Sequence, residues 1–107
     1  MNQLLEVKNE NDENGNPLGG FVKGTGLEIQ WQKGPLGRGE ARQAANGAFT
    51  EGVLSAALSR LEYYQTTRFK CRENALAITK IEEALHWLES RTKRRESAGV
   101  EGTHEGN

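Results

Sequence analysis

At 107 residues the chain allows one domain at most, and its core would be thin, because a chain of this size buries only about two-thirds of the surface that its unfolded form exposes. Its formal net charge of -1 argues against a protein that covers nucleic acid with a broad basic face. The sequence, with a mean hydropathy of -0.76, contains no bilayer-spanning apolar run, no signal segment and a single cysteine, Cys71, so we expect a soluble protein of a reducing cytosol.

The first seventeen residues form an acidic N-terminal segment. Residues 1–16 contain four acidic side chains and one lysine. The stretch "LLEVK" (4–8) is compatible with a short strand, whereas "NENDENGNP" (9–17) is typical of a turn or a disordered loop. We therefore predict that residues 1–17 are partly disordered and precede the single domain, residues 18–107.

A β-hairpin is predicted over residues 18–32. Two β-prone runs flank a Gly-Thr-Gly turn, and Leu27, Ile29 and Trp31 alternate with polar residues. The alternation predicts one apolar face. Because an isolated hairpin is marginally stable in water, this face needs another element to cover it.

Residues 33–46 are predicted to form a glycine-rich loop. Between Lys33 and Arg42 the loop contains three cations and one acid, and glycine or proline occurs at four of its first seven positions. Backbone N–H groups in such a loop can form an anion-binding nest, with Arg38 at its tip. Arg42 projects from the same loop.

A first helix is predicted from about residue 47 to residue 65. Asn46 stands directly before it and is a preferred N-cap residue. Apolar side chains follow at spacings of three and four, as in an amphipathic helix, at Phe49, Val53, Ala57, Leu61 and Tyr64.

A second helix follows a short connection at residues 66–70. It spans about 26 residues, or about 39 Å, and Gly99 is a plausible terminating residue. Its apolar stripe begins at Cys71 and continues through Ile78 to Leu88. The short connection predicts an antiparallel helical hairpin over residues 47–98, followed by a tail, residues 99–107.

These elements predict an α+β fold: a small N-terminal antiparallel β-hairpin or sheet followed by a long antiparallel αα-hairpin. One chain of this size cannot bury both helical stripes, the tryptophans and the hairpin face. We therefore expect a homo-oligomer, assembled first as a dimer.

Catalytic chemistry has weak candidates. Glu83 and His86 have the Glu-x-x-His spacing of di-iron helical bundles, but a single copy arises easily in any glutamate-rich helix, and a solvated face is the favoured interpretation. No spacing supports a nucleophile that pairs Cys71 with His86 or His104, and a cysteine in a helix stripe is usually a small core residue. We expect no enzyme, no metal and no cofactor.

The end of the second helix carries four cations within residues 91–95. Arg91 and Arg95 are four residues apart and share a helix face, where guanidinium groups suit phosphate oxygens. Cations are also favoured there by the helix dipole alone, so a ligand site and a simple helix cap both stay open. Tyr63 and Tyr64 are likewise compatible with stacking on a base or with core packing.

Three stretches together resemble the phage-encoded Thoeris anti-defence sponges, which share a helical-hairpin domain with the anti-CBASS cyclic-nucleotide sponge. They are "GPLGRGEARQAANGAFTEGVLSAALSRLEYYQ", "FKCRENALAITKIEEALHWLESRTKRRE" and "VEGTH", within residues 27–104. The resemblance implies a catalytically inert homo-oligomer, built from dimers and typically hexameric, in the cytoplasm of an infected bacterial host. It also implies capture of cyclic ADP-ribose isomers and, at a separate site, of cyclic di- or trinucleotides.

The resemblance also implies the residues of the site. Tyr64 and Asn74 match positions that line the ADP-ribose pocket, although the family often has Phe where this chain has Tyr64. The phosphate contacts match Arg38, Arg91, Thr92 and Arg95, and the tail, with Thr103 and His104, is expected to close over a neighbouring subunit or the nucleotide. The alternative is a structural or nucleic-acid-binding helical hairpin whose basic end contacts phosphate backbones.

Overall fold

The computed structural model describes residues 4–106, which form a small sheet, a short 3-10 turn and two helices. The described chain divides into two compact units: residues 4–49 with residues 99–106, and Thr50–Ala98. The first unit holds the sheet, the glycine-rich loop and the tail, and the second holds both helices. The predicted α+β fold, an antiparallel sheet followed by a helical hairpin, is confirmed.

The sheet has three antiparallel strands in the order β1-β2-β3. These are β1 (Glu6–Asn11), β2 (Pro17–Gly24) and β3 (Leu27–Gln30). The predicted hairpin is β2 and β3, with Gly24 paired to Leu27 across a turn in which Gly26 has a φ of 71°.

The predicted short strand near the N-terminus is confirmed as β1, but the prediction of a turn or loop from residue 9 is wrong for residues 9–11. These polar residues continue β1, because pairing with β2 supplies partners for their backbone groups. The part of the predicted disordered segment that falls on residues 1–3 lies outside the described residues.

The turn between β1 and β2 is organised by Asp12. Its carboxylate accepts hydrogen bonds from the backbone N–H groups of Asn14 and Asn16, both at 2.9 Å, and from the Asn16 side chain at 3.2 Å. The Asn16 backbone bond is the largest cause that lowers the pKa of Asp12, with smaller contributions from the other bonds and from the charge of His104. The folded turn therefore stabilises the ionised form of the Asp12 carboxylate.

The glycine-rich loop is tied to the sheet through Asn46. Its side chain accepts a hydrogen bond from the Lys33 N–H at 2.8 Å, and its own N–H donates to Oε1 of Gln32 at 2.8 Å. The prediction that Asn46 caps the first helix is therefore wrong, because its side-chain oxygen bonds a residue thirteen positions earlier. Gly47 fits beside the strand end because a Cβ there would lie 2.5 Å from the carbonyl oxygen of Trp31.

The two helices are α1 (Thr50–Tyr64) and α2 (Arg72–Ser97), and they pack against each other. Helix α1 begins three residues later than predicted. Between them, the side chain of Gln65 donates to the carbonyl oxygen of Cys71 and accepts from its N–H, both at 3.1 Å, which closes the connection.

The ends of α2 differ from the prediction at one point. Cys71 is the N-cap rather than part of the apolar stripe, because its Sγ accepts a hydrogen bond from the Asn74 N–H at 3.4 Å. At the other end, Ala98 is the C-cap and Gly99 has a φ of 74°, so the predicted terminating glycine is confirmed.

No apolar side chain within residues 4–106 is buried, although several large ones would be expected in a core. Trp87 is 66% exposed, Phe69 62% and Leu76 46%. The expectation that one chain cannot fully bury its apolar stripes is therefore confirmed for the described residues. In this part of the chain, neither helix is long and apolar enough to cross a membrane.

Candidate functional site

The basic end of α2 presents Arg91 to solvent, whereas Arg95, one turn further on, is only 7% exposed. Between them, Thr92 donates its hydroxyl hydrogen to the carbonyl oxygen of Leu88 at 3.2 Å, which leaves the hydroxyl oxygen free to accept. Arg95 lies in the last turn, where the helix dipole favours a cation. In the single chain, Arg91 is therefore the arginine of this pair that a ligand can reach.

The opposite end of the hairpin carries Tyr64 and Asn74. Tyr64 is the last residue of α1 and Asn74 lies in the first turn of α2, so they flank the same connection, and both are half-buried. The Asn74 side-chain amide has no hydrogen-bond partner within residues 4–106. An aromatic face and an open amide are thus available together at this end.

A single chain separates these two groups of residues. Arg91 follows Asn74 by seventeen positions on one continuous helix, which corresponds to about 26 Å along the axis. This is longer than a small cyclic nucleotide. The structure therefore brings Tyr64 and Asn74 to one end and Arg91, Thr92 and Arg95 to the other.

An arginine absent from the predicted site joins the aromatic end. Nε of Arg60 donates a hydrogen bond to the hydroxyl of Tyr64 at 3.1 Å, and its guanidinium carbon lies 5.0 Å from the ring centroid of Tyr63 and 4.9 Å from that of Tyr64. The bond to Tyr64 is the main cause that raises the pKa of Arg60, so the guanidinium stays charged. The signal in the sequence was the spacing of three and four residues between Arg60 and the two tyrosines.

The glycine-rich loop is joined to the tail within the first unit. The Gly37 N–H donates to the carbonyl oxygen of Gly102 at 2.7 Å, and Nη1 of Arg38 donates to that of Glu101 at 3.1 Å. Nη1 of Arg42 also lies 2.7 Å from the Glu101 carboxylate. The structure therefore places Arg38 against the tail, and it adds Arg42 and Glu101, which were not among the predicted site residues.

The two tail residues of the predicted site lie in a turn. The hydroxyl of Thr103 donates to the carbonyl oxygen of Val100 and accepts from the Glu105 N–H at 3.1 Å. His104 is exposed. These local hydrogen bonds hold Thr103 in place beside Glu101 and Gly102, the two tail residues that bond the glycine-rich loop.

The sheet side of the first unit carries a groove of about 340 Å³ that the sequence did not indicate. Its lining includes two aromatic residues, Phe21 and Trp31, together with Lys33 and Asn46. The volume lies at the lower end of the usual range for small-molecule sites. None of the predicted site residues lines it.

Within residues 4–106 the structure shows no metal site at Glu83 and His86 and no contact between Cys71 and His86. Glu83 and His86 do not belong to any group of three or more candidate metal ligands there, and Glu83 forms an exposed ion pair with Lys80 at 3.8 Å. Cys71 caps the start of α2, and His86 lies fifteen positions along that helix, about 22 Å away. The pairing of Cys71 with His86 as a nucleophile and its base is thereby excluded within one chain.

A model of the family described as the Acb2/Tad1 hairpin domain matches residues 23–93, about two-thirds of the chain. The chain belongs to the Acb2/Tad1 hairpin domain family. It is also similar to "Thoeris anti-defense 1" of Bacillus phage SBSphiJ7, with 49% identity over 77 residues. The aligned region covers 72% of this chain and 51% of the relative, so the chain spans about half the length of the curated relative it matches. The resemblance seen in the motifs is confirmed.

The Acb2/Tad1 hairpin match contains most of the predicted site. It includes Arg38, Tyr64, Asn74, Arg91 and Thr92, and also Arg60. Arg95 and the tail residues lie beyond its end. The family match therefore covers the start of α2, where the aromatic group lies, and continues along the helix as far as residue 93, which includes Arg91 and Thr92 but not the last turn.

Proposed function

We propose that this protein is a phage anti-defence protein that binds and sequesters cyclic ADP-ribose isomers, the signalling nucleotides of Thoeris immunity, without degrading them. The observation that carries the proposal is the 49% identity to a phage protein named for anti-defence against Thoeris. Its place of action is the cytoplasm of the infected bacterial host. Removing the signal would keep the immune effector inactive.

The aromatic end of the hairpin has the chemistry to hold the base of such a nucleotide. The ring of Tyr64 offers a face for stacking, which contributes about 1–3 kcal/mol per base in other proteins. The open amide of Asn74 can donate to and accept from a base edge or a ribose hydroxyl. No cofactor is needed, because a sponge only has to bind.

The arginines supply the phosphate contacts in this proposal. Arg91 is exposed at the end of α2, with the hydroxyl of Thr92 beside it, and Arg38 is exposed on the glycine-rich loop with one of its five N–H donors used on the tail. Arg95, Thr103 and His104 complete the proposed set. The same basic end is the place to test for cyclic di- and trinucleotides, the second ligand class.

A second copy of the chain would complete the site. About 26 Å separates Asn74 from Arg91 on one helix, so a small ligand contacts both kinds of residue only where Asn74 of one chain lies near Arg91 of another. The exposed apolar side chains of the helices, Trp87 and Leu76 among them, support such an assembly. We propose a homodimer from which a hexamer is built.

Calorimetry tests the ligand and mass spectrometry tests its fate. The protein is titrated with cyclic ADP-ribose isomers and with cyclic di- and trinucleotides, and bound ligand is released by denaturation and weighed. We expect tight binding of at least one cyclic ADP-ribose isomer and recovery of that ligand intact. The absence of tight binding to every member of the panel would end the proposal, and a shortened ligand would make the protein an enzyme.

The alternative, a nucleic-acid-binding hairpin, gives a different result. A protein that contacts phosphate backbones shifts DNA in a gel with steep salt dependence and ignores cyclic nucleotides. Sedimentation velocity measures the assembly in parallel. A monomer at all concentrations would contradict the proposed two-chain site.

A further inference from the structure

Arg60 holds an unusual position among the arginines of this chain. Its guanidinium carbon lies about equally far from two tyrosine rings, 5.0 Å from the centroid of Tyr63 and 4.9 Å from that of Tyr64. The rings are 6.0 Å apart and inclined at 48°, so both contact the same cation. The side chain is thereby fixed at the end of α1 rather than extended into solvent.

The hydrogen bond to Tyr64 determines which donors of Arg60 remain. Nε is used on the tyrosine hydroxyl at 3.1 Å. A guanidinium has five N–H donors, so the two Nη groups, with four of them, stay available. Two Nη groups in one plane match two oxygens of a phosphate.

Arg60 also has no acidic partner in the described part of the chain. By contrast, Lys80 and Lys93 on α2 each form an ion pair with a glutamate. Arg60 is exposed, and its contacts are the two tyrosines. The guanidinium of Arg60 is thus held in place by two tyrosine rings, and no carboxylate in the described part of the chain neutralises its charge.

We propose that Arg60 is a further ligand-binding residue, which contacts a phosphate of the nucleotide whose base stacks on Tyr64. The inference rests on the proposed function and adds to it a cation supplied by α1 itself. The hydroxyl that distinguishes Tyr64 from phenylalanine then has a role. It anchors Nε of Arg60 and so holds the phosphate-binding side of the guanidinium beside the stacked base.

Calorimetry with the tightest-binding cyclic ADP-ribose isomer, repeated at several salt concentrations, tests this role. Arg60→Ala is expected to weaken binding roughly ten- to a hundred-fold, as loss of a charge-assisted hydrogen bond does. It should also flatten the dependence of affinity on salt, because one cation fewer meets the ligand. Arg60→Lys keeps the charge and should retain the salt dependence while losing part of the affinity.

Arg68 provides the matched control. It is an exposed arginine whose guanidinium carbon lies 4.5 Å from the ring of Phe69, so it makes a similar cation–π contact without a tyrosine hydroxyl. Arg68→Ala should leave both affinity and salt dependence unchanged. Tyr64→Phe is a second variant that keeps the ring and frees Arg60, and it should weaken binding by about ten-fold.

The outcomes separate this inference from the proposed function. If the wild-type protein binds no cyclic ADP-ribose isomer, both fail. If it binds and Arg60→Ala matches it in affinity and salt dependence, the inference alone fails. A loss of affinity with unchanged salt dependence would also overturn it, since that result assigns Arg60 to supporting Tyr64 by packing. Circular dichroism confirms that each variant retains its helices.

Discussion

Nη1 of Arg42 lies 2.7 Å from the carboxylate of Glu101, a residue 59 positions later in the chain. Both side chains retain access to solvent, so this ion pair contributes at most about 1 kcal/mol. Its importance is positional. Together with the backbone hydrogen bond from Gly37 to Gly102 and the bond from the Arg38 side chain to the Glu101 carbonyl oxygen, it holds the tail against the glycine-rich loop.

Gly102→Ala should detach the tail. Gly102 has a φ of 79°, and a Cβ there would lie 2.5 Å from the carbonyl oxygen of Gly37. The variant should lose roughly 1–3 kcal/mol in the free energy of unfolding, measured in urea at fixed protein concentration. Gly99→Ala is the control, since its φ is 74° but its Cβ would meet open space. Equal losses in the two variants would contradict close docking of the tail.

Arg91→Ala should weaken nucleotide capture by one to two orders of magnitude, as loss of a charge-assisted contact of roughly 1.5–3 kcal/mol would. Lys93→Ala is the matched control, because Lys93 lies on the same helix but its ammonium group is 3.3 Å from the Glu89 carboxylate. Calorimetry with cyclic ADP-ribose isomers and cyclic dinucleotides measures both. An unchanged affinity for every ligand would assign Arg91 to the helix cap alone.

Asp12 should make the first unit sensitive to acid. Its pKa is lowered in the folded chain, chiefly by the backbone hydrogen bond from Asn16. The stabilising contribution is therefore complete above the ordinary pKa of about 3.9 and is lost as the pH falls through the lowered value. An NMR titration should place the Asp12 midpoint below 3.9. In Asp12→Asn, the contribution should be absent at every pH, and an ordinary midpoint in the wild-type chain would refute the ordered turn.

Trp87→Asp should reduce the size of the assembly. Trp87 is 66% exposed in the single chain, and burying such a ring between subunits makes a large apolar contribution. A carboxylate in its place would be costly to bury, so sedimentation velocity should show smaller species. Lys80→Gln changes an exposed helix residue and should leave the distribution unaltered. Unchanged species in Trp87→Asp would place Trp87 outside the interface.

Local patterns predicted most of the fold. The alternation at Leu27 and Ile29 indicated the hairpin, and Gly99 indicated the end of α2. The errors came from partners distant in the sequence or from unusual chemistry. Asn46 bonds Lys33, thirteen residues earlier, and Cys71 caps α2 with a thiol, which is a weaker acceptor than the usual hydroxyl or carboxylate.

The site residues show the same difference between local contacts, which the sequence indicates, and distant contacts, which it does not. Arg60 lies one turn from Tyr64 on α1, so the four-residue spacing in the sequence already indicates that the two side chains are neighbours. The bond from Arg38 to Glu101 spans 63 residues, and no periodicity reports such a contact. The difference in exposure between Arg91 and Arg95 was also hidden, because two arginines on one helix face look equivalent in a sequence.

The lack of any buried apolar side chain in residues 4–106 has a consequence for how the protein works at different copy numbers. A small chain whose apolar side chains all remain partly in contact with solvent gains little free energy of folding from their burial. Its folding then depends on assembly, and therefore on protomer concentration. Ligand capacity would then rise more steeply than in proportion to the number of chains. We expect a strongly diluted sample to bind less nucleotide per chain than the same protein at high concentration.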